Sequence, residues 1–304
     1  MKTNKISPTT HPACRSLLQK AIRRGYVDLT RTVINHLWDS GDSKWLKQRA
    51  AVITFEECWP LGADIVPRMN REDIIAQLTV VAKSVKVKDA AGLGTLAYVL
   101  SNGDRTVLTG SYYDQDIRIV AAAIARPSDF WNWAIRTSES DRQRAIVESA
   151  HKAFRGGGWP WDRAFMQAAA YLEVTDCRLH SDSTEATKGP FPFWIAIDKH
   201  TEAGRKALSS AAKTLRLPVR QLSWASFYCE GAVTNYSTES PWWNAEMKWR
   251  LMRVGLTVLQ AKILWDGARP SIIDLLYEQS TSLQEHIGTF GANDNKPLQG
   301  RILG

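Results

Sequence analysis

The sequence predicts an all-α protein, with a helical bundle over residues 15–174 and a second, mostly helical region over residues 193–287. Three observations support this fold class. Apolar residues recur at spacings of three and four along most of the chain, which is the period of an amphipathic helix. Residues that cap helices precede these runs, and Gly or Pro follows them. The connections up to residue 174 are mostly shorter than about ten residues, as in helical bundles.

The first four helices are predicted from their caps and their apolar faces. The first has apolar residues between positions 17 and 22 and can end in a left-handed cap at Gly25. Asp28 is a suitable N-cap for the second, Ser43 for the third and Asn70 for the fourth. Similar patterns predict further helices in this region at 89–100, 112–125, 128–136, 139–154 and 162–174.

A change of composition at residues 175–192, which are polar and contain Gly and Pro, predicts a loop or linker. The run FWIAI at 193–197 fits a short buried strand, but five residues do not settle its type. Residues 1–14 and 288–304 lack periodicity, so flexible ends are expected there. Between them, helical patterns resume at 201–215, 219–230, 241–253, 255–266 and 271–284.

The chain is basic, with 39 Lys and Arg against 31 Asp and Glu, a formal net charge of +8 and a pI of about 9.3. This charge favours polyanionic partners such as DNA, although many basic proteins bind none. The four cysteines are far apart and form no CxxC motif, so we expect a reducing cytoplasm rather than disulfides. Neither a signal-type segment nor an apolar run of about 18 residues occurs, so no membrane association is expected.

Residues 17–64, LLQKAIRRGYVDLTRTVINHLWDSGDSKWLKQRAAVITFEECWPLGAD, contain an ordered set of motifs. They are Arg23-Arg24-Gly25, Asp28, Gly41-Asp42, Gln48-Arg49, Glu56-Glu57 and Ala63-Asp64. This order resembles the C-terminal collar region of clamp-loader-like AAA+ ATPases, especially the bacterial replication-associated recombination protein A family. The chain departs from that family at Glu57, where Asp is usual, and in a longer link to Ala63-Asp64. The resemblance covers about residues 15–65, and WDRAFMQAAAYLEV is similar to a later collar helix.

The resemblance implies an oligomerising, collar-like domain in a non-catalytic accessory protein of DNA replication or recombination. A homo-oligomer, or a complex with an AAA+ partner, would be held by residues within about 15–175. The phosphate-binding motif GxxxxGK[ST] does not occur in the sequence, so the collar would lack the ATPase module. No catalytic constellation is recognisable and no cofactor is expected. The resemblance does not extend over residues 175–304.

Zinc has one weak candidate site. Cys177 and His180 have the spacing of zinc ligands, and Asp198 and His200 could complete a set of four. A structural zinc site usually offers a second closely spaced pair, however, and Asp198 with His200 is a poor one. We therefore expect no metal there.

Two acidic pairs are equally weak candidates. Asp114 and Asp116 could hold a divalent ion, but acids at a helix start explain them as well. Glu56 and Glu57 could be an acid–base pair, but neighbours on a helix point in different directions.

The 13 tryptophans are the most distinctive feature of the composition, and several lie near cations. Aromatic rings beside Lys and Arg hold single-stranded nucleic acid by stacking and charge, whereas tryptophan also packs between helices. In SPWWNAEMKWR the three rings cannot all face one core. The predicted nucleic-acid contacts are Arg23, Arg24, Lys44, Lys47, Arg155, Trp242, Trp243, Lys248, Trp249 and Arg250.

The segment QLSWASFY resembles the peptide by which replication proteins bind a sliding clamp. Gln221 is followed by Trp224 at the third position and by Phe227 and Tyr228 at the sixth and seventh. Such peptides normally lie in flexible segments, whereas this one falls in a predicted helix. Burial in a helix is therefore the alternative interpretation.

Three functions remain open from the sequence. The leading hypothesis is the non-catalytic DNA accessory protein, which predicts salt-dependent DNA binding without metal. A metal-dependent nucleic-acid-processing enzyme would cleave DNA only with a divalent ion. A helical adaptor that binds only another protein would do neither.

Overall fold

The computed structural model describes residues 10–65, 69–157, 159–176, 189–236 and 240–294. Over these ranges the fold is all-α, as predicted. Its α-helices are α1 (Thr10–Arg23), α2 (Val27–Leu37), α3 (Ser43–Cys58), α4 (Arg71–Lys83), α5 (Asp89–Ser101), α6 (Asp114–Ala125), α7 (Pro127–Thr137), α8 (Asp141–Gly156), α9 (Pro160–Val174), α10 (Glu202–Thr214), α11 (Val219–Ser226), α12 (Pro241–Met252), α13 (Val258–Leu275) and α14 (Tyr277–Asp294). None of the helices in the described ranges has both the length and the apolar composition that a membrane crossing requires.

The helix starts follow the predicted caps in part. Asn70 is the N-cap of α4, as predicted, and its side chain accepts from the Asp73 N–H in a capping box. Asp28 instead lies in the first turn of α2, where its charge suits the helix dipole, and Tyr26 is the N-cap residue. The run FWIAI forms a 3-10 turn at Phe193–Ala196 rather than a strand.

Within the described ranges, the helices enclose two hydrophobic cores. The first joins the beginning of the chain to its end, because Leu18 of α1 and Ile34 of α2 share it with Trp265 of α13. The second is formed mainly by α5 to α9, and Trp242 of α12 enters it. Residues on both sides of the predicted linker therefore pack into common cores, and the predicted domains 15–174 and 193–287 are not separately packed units.

Helix α3 has no single apolar face because it contributes to both cores. Leu46, Ala50 and Ile53 belong to the first core, whereas Val52 and Phe55 belong to the second. This helix therefore fixes the position of one core relative to the other.

Helix α5 is central to the second core and is buried on almost every side. Two of its glycines allow neighbouring backbones to approach closely. A Cβ atom at Gly92 would lie 2.3 Å from the backbone nitrogen of Trp243, and one at Gly94 would lie 2.8 Å from the Ala164 carbonyl oxygen. The absence of side chains at these positions sets the crossings of α5 with α12 and α9.

We predict that Gly92→Ala destabilises the protein by at least about 1–3 kcal/mol, because the added methyl group meets backbone that cannot rotate away. The matched control is Gly267→Ala in the interior of α13, where a Cβ atom meets nothing within 4 Å. That change should stabilise the helix by about 0.5–1 kcal/mol. Thermal and urea unfolding measure both effects, and equal shifts of the same sign would contradict the proposed close crossing.

Candidate nucleic-acid interface

Four of the predicted nucleic-acid contacts are exposed cations. Lys44 and Lys47 lie on α3, Arg155 on the last turn of α8 and Lys248 on α12. The Lys47 ammonium lies 5.2 Å from the centroid of the Trp38 ring. These side chains are accessible to a polyanion, although they are spread over three helices.

The prediction that Arg23 and Arg24 contact nucleic acid is wrong. The Arg23 side chain is only 5% exposed, and its guanidinium donates to Glu57 at 2.6 and 2.8 Å. It also donates to Glu56 at 3.0 Å and to the Gly231 carbonyl oxygen at 2.6 Å. Arg24 donates to the Glu230 carboxylate at 2.7 Å. Both guanidinium groups are thus engaged inside the fold.

Glu57 is the centre of a buried ion cluster that we define as Arg23, Glu56, Glu57, Lys86 and Lys88. Its second carboxylate oxygen, Oε2, lies 3.1 Å from the Lys88 Nζ atom, and the Lys88 side chain is fully buried. Burial alone would raise the pKa of the Glu57 carboxyl, but Arg23 and Lys88 lower it to about 2. Glu57 is therefore an anion that compensates two buried cations.

The ion cluster lies where helix C-termini converge, and these ends carry partial negative charge. The Lys86 ammonium donates to the carbonyl oxygens of Val81, Ala82 and Ser84 at 2.6–3.1 Å and so caps α4. Burial lowers the pKa of Lys86 to about 8, so it remains a cation at neutral pH. Asn235 donates its backbone N–H to the Arg23 carbonyl oxygen at the end of α1.

The structure also excludes the Trp242 ring as a stacking platform, because Trp242 is only 1% exposed and packs in the second core. Trp243 is half-buried, and its ring lies 4.8 Å from the Lys88 Nζ atom. Of the three rings in SPWWNAEMKWR, Trp249 is the one that lines a surface cleft.

Those candidate metal ligands that the structure describes have other partners. Cys177 and His180 lie outside the described residues, and Asp198 pairs with Lys20 at 2.5 Å. Asp114 begins α6 and accepts from the Gly110 N–H at 2.8 Å. Within the described ranges no cluster of three or more His, Cys, Asp or Glu residues could hold a metal ion.

The segment that resembles a clamp-binding peptide is helical. It forms α11 and a following π-helical turn, Phe227–Gly231, as the burial interpretation predicts. Gln221 donates to the Val254 carbonyl oxygen at 2.8 Å, and the Tyr228 hydroxyl donates to Glu246 at 3.1 Å. With these side chains engaged internally, the segment does not present a clamp-binding peptide.

A surface cleft of about 320 Å³ lies between α5, α9, α11 and α12, and we call it the Trp-Arg cleft. Its walls are aromatic and cationic. The rings are Tyr98, Trp161, Trp224 and Trp249, and the cations are Arg220, Arg250 and Arg253. The remaining lining residues are Val99, Asn102 and Asp104. A volume of this size is at the lower end of the range of about 300–1,000 Å³ for small-ligand pockets.

Arg250 is at the centre of the cleft. Its Cζ atom lies 4.7, 5.1 and 5.5 Å from the ring centroids of Trp224, Trp161 and Trp249. Glu246, one turn earlier on α12, accepts from the Arg250 Nε–H at 2.5 Å and so orients the guanidinium. Burial alone would lower the pKa of Arg250, but Glu246 raises it above its usual value. The guanidinium is therefore a fixed cation among three rings.

A second cation lies against Trp224. The Lys199 ammonium is 3.6 Å from the centroid of the Trp224 ring and 5.0 Å from that of Phe227. Burial, with the charge of Arg250, lowers the pKa of Lys199 to about 8. Trp224 is thus held in place by two cations and by the Tyr228 ring, which is stacked at 5.9 Å.

The sequence predicted Trp249 and Arg250 as nucleic-acid contacts and Trp224 as part of a motif that resembles a clamp-binding peptide, but it did not predict the cleft that joins them. Two local signals were available. Arg220 and Trp224 are four residues apart on α11, and so are Glu246 and Arg250 on α12, which places each pair on one helix face. The meeting of these faces with Tyr98 and Trp161 depends on long-range packing that no local pattern contains.

Chemically, the Trp-Arg cleft can stack a planar ring and neutralise a negative charge beside it. Both properties are those of proteins that bind single-stranded nucleic acid. No protein-family model, curated protein or solved structure matches this chain.

For the ion cluster, we predict that Glu57→Gln lowers the free energy of unfolding at pH 7 by about 3–5 kcal/mol, because it removes the closest anion of two buried cations. The wild type should lose roughly 3 kcal/mol through Glu57 as the pH falls from about 4.5 to about 2. In that range the unfolded state binds a proton that the folded state does not, so acid favours unfolding.

Urea unfolding at pH 7 and pH 3 tests this prediction. Between pH 7 and pH 3, the free energy of unfolding of Glu57→Gln should fall by less than that of the wild type. The control is Glu148→Gln on the exposed face of α8, which should leave both values unchanged. An equal acid-dependent loss in the wild type and both variants would contradict the role assigned to Glu57.

Proposed function

We propose that this protein is a non-catalytic accessory protein of DNA replication or recombination that binds single-stranded DNA in the Trp-Arg cleft. The observation that supports DNA binding best is the fixed Arg250 guanidinium among the rings of Trp161, Trp224 and Trp249. Base–aromatic stacking contributes about 1–3 kcal/mol per base and tolerates any sequence. The net charge of +8 would add long-range attraction to the DNA backbone.

The assembly part of the proposal is supported by the resemblance of residues 15–65 to a clamp-loader collar. Several charged residues of that segment, such as Arg23 and Glu57, pair with one another. The proposed contacts with a second copy, or with an AAA+ partner, therefore use the exposed side chains of α1 to α9. A reducing cytoplasm, inferred from the dispersed cysteines, suits this function.

We predict that changing both Trp161 and Trp249 to Ala weakens binding of a twelve-residue oligo(dT) about tenfold or more. The dependence of affinity on salt should stay the same, because stacking releases no counterions. The matched control is Trp159→Ala, because Trp159 is 69% exposed and does not line the cleft. Fluorescence anisotropy of a labelled strand measures affinity, and thermal unfolding checks each variant.

Changing both Arg220 and Arg253 to Ala should instead make the plot of log affinity against log salt concentration less steep. Its slope should change by about 0.7 for each phosphate that is no longer neutralised. Arg118→Ala on α6, an exposed cation outside the cleft, is the control. Equal affinity of the wild type and the folded Trp161/Trp249 double variant would contradict the proposed site. Binding or cleavage that requires a divalent ion would instead favour the enzyme.

For assembly, we predict a native mass above that of one 34.1 kDa chain at tens of micromolar, with or without DNA. The mass should be measured by native mass spectrometry and checked by sedimentation. A strict monomer that also recovers no partner from its host would contradict the collar part of the proposal and leave DNA binding untouched.

A further inference from the structure

The rim of the Trp-Arg cleft contains a carboxylate. A site that bound only phosphate would have no carboxylate there, because the two anions would repel each other. Asp104 begins the short turn Arg105–Val107, and its Oδ1 atom accepts from the Thr106 N–H at 2.9 Å and from the Thr106 hydroxyl at 2.5 Å. The same hydroxyl accepts from the Trp249 indole N–H at 3.0 Å. Asp104 is thereby linked to a ring that lines the cleft.

The second oxygen of the carboxylate, Oδ2, is less engaged than the first. The Arg253 Nη2 atom lies 3.9 Å from it, which is beyond hydrogen-bond distance. The bonds from Thr106 hold the pKa of Asp104 below its usual value, so the group is an anion at neutral pH. Asp104 is thus a charged acceptor beside the stacking rings.

Asn102 adds a second acceptor to this side of the cleft. Its side-chain N–H groups donate to the Tyr98 carbonyl oxygen at 2.8 Å and to the Ser101 hydroxyl at 3.4 Å. The amide oxygen is then the remaining hydrogen-bonding atom of the Asn102 side chain. The cleft therefore combines acceptors, Asp104 and Asn102, with the donors Arg220, Arg250 and Arg253.

This combination distinguishes the DNA bases. Guanine has two adjacent donors, N1–H and the N2 amino group, and both can donate to Oδ2 of Asp104, the oxygen that Thr106 leaves open. It also has two adjacent acceptors, O6 and N7, which match an arginine guanidinium. Thymine has one ring donor between two carbonyl groups, and the amino groups of cytosine and adenine each adjoin a ring acceptor. Each of the other bases therefore offers at most one donor group to a carboxylate.

We propose that the Trp-Arg cleft selects guanine in single-stranded DNA, with Asp104 accepting from its Watson–Crick edge and an arginine donating to O6 and N7. This inference rests on the proposed function, because it assumes that the cleft holds a base. A base displaced from its neighbours and stacked on aromatic rings or arginine planes is read on these two edges in single-stranded recognition. The carboxylate at the rim thus favours the base edge over phosphate.

The test compares a labelled oligo(dT) of twelve residues with the same strand carrying one central guanine, hypoxanthine or adenine. The wild type should bind the guanine strand about tenfold more tightly than oligo(dT), within the range expected for a bidentate base contact. Hypoxanthine lacks the N2 amino group and should lose most of this gain. Adenine should bind like thymine.

The variant Asp104→Asn should lose the guanine preference, measured as the ratio of the two dissociation constants. Asn keeps the cap to Thr106, so the turn should be retained. The control is Asp129→Asn on α7, an exposed acid outside the cleft, which should keep the wild-type ratio.

A wild-type ratio near one would overturn the guanine inference. The proposed function would still stand if oligo(dT) binding depends on Trp161 and Trp249. A preference that persists in the folded Asp104→Asn variant would also overturn the inference, because another group would then read the base. If no strand binds, the proposed function and the inference fail together.

Discussion

The buried contact between the Glu57 carboxylate and the cations of Arg23 and Lys88 is the constraint on which the rest of the structure depends. It ties the end of α1 and the end of α3 to the residue that precedes α5. A buried cation without its anion costs several kcal/mol, so these three points cannot separate independently. Lys86 completes the arrangement by capping α4. Since α3 contributes to both cores, the cluster also fixes one core against the other.

The position of the Trp-Arg cleft follows from this constraint in two steps. The ion cluster fixes the start of α5, and Gly92 and Gly94 then allow α12 and α9 to cross it at backbone contact. These crossings place the Cζ atom of Arg250 on α12 at 5.1 Å from the centroid of the Trp161 ring on α9. The four rings of the cleft therefore lie on helices rather than on loops, and helix packing fixes their positions.

The predictions from sequence succeeded where one residue depends on its neighbours along the chain. The N-cap at Asn70 and the acids Asp114 and Asp116 at the start of α6 are local features, and both were predicted. The errors at Arg23 and Trp242 have a different origin. The residue type alone does not show whether an arginine or a tryptophan faces solvent or a partner inside the protein. Glu57, the partner of Arg23, lies 34 residues away, and Trp242 packs against other helices. FWIAI was ambiguous because five apolar residues fit any buried segment.

The cationic side chains behind the net charge of +8 fall into two groups with different roles. Arg23, Lys86 and Lys88 are buried, and nearby anions or helix C-termini compensate them, so they add little to the field outside the protein. The cations that a polyanion can meet are exposed ones, such as Lys248 and Arg253. A basic sequence alone therefore does not identify a DNA-binding face. What distinguishes the Trp-Arg cleft is that its central cation is fixed by Glu246 among three tryptophan rings, which charge counting does not reveal.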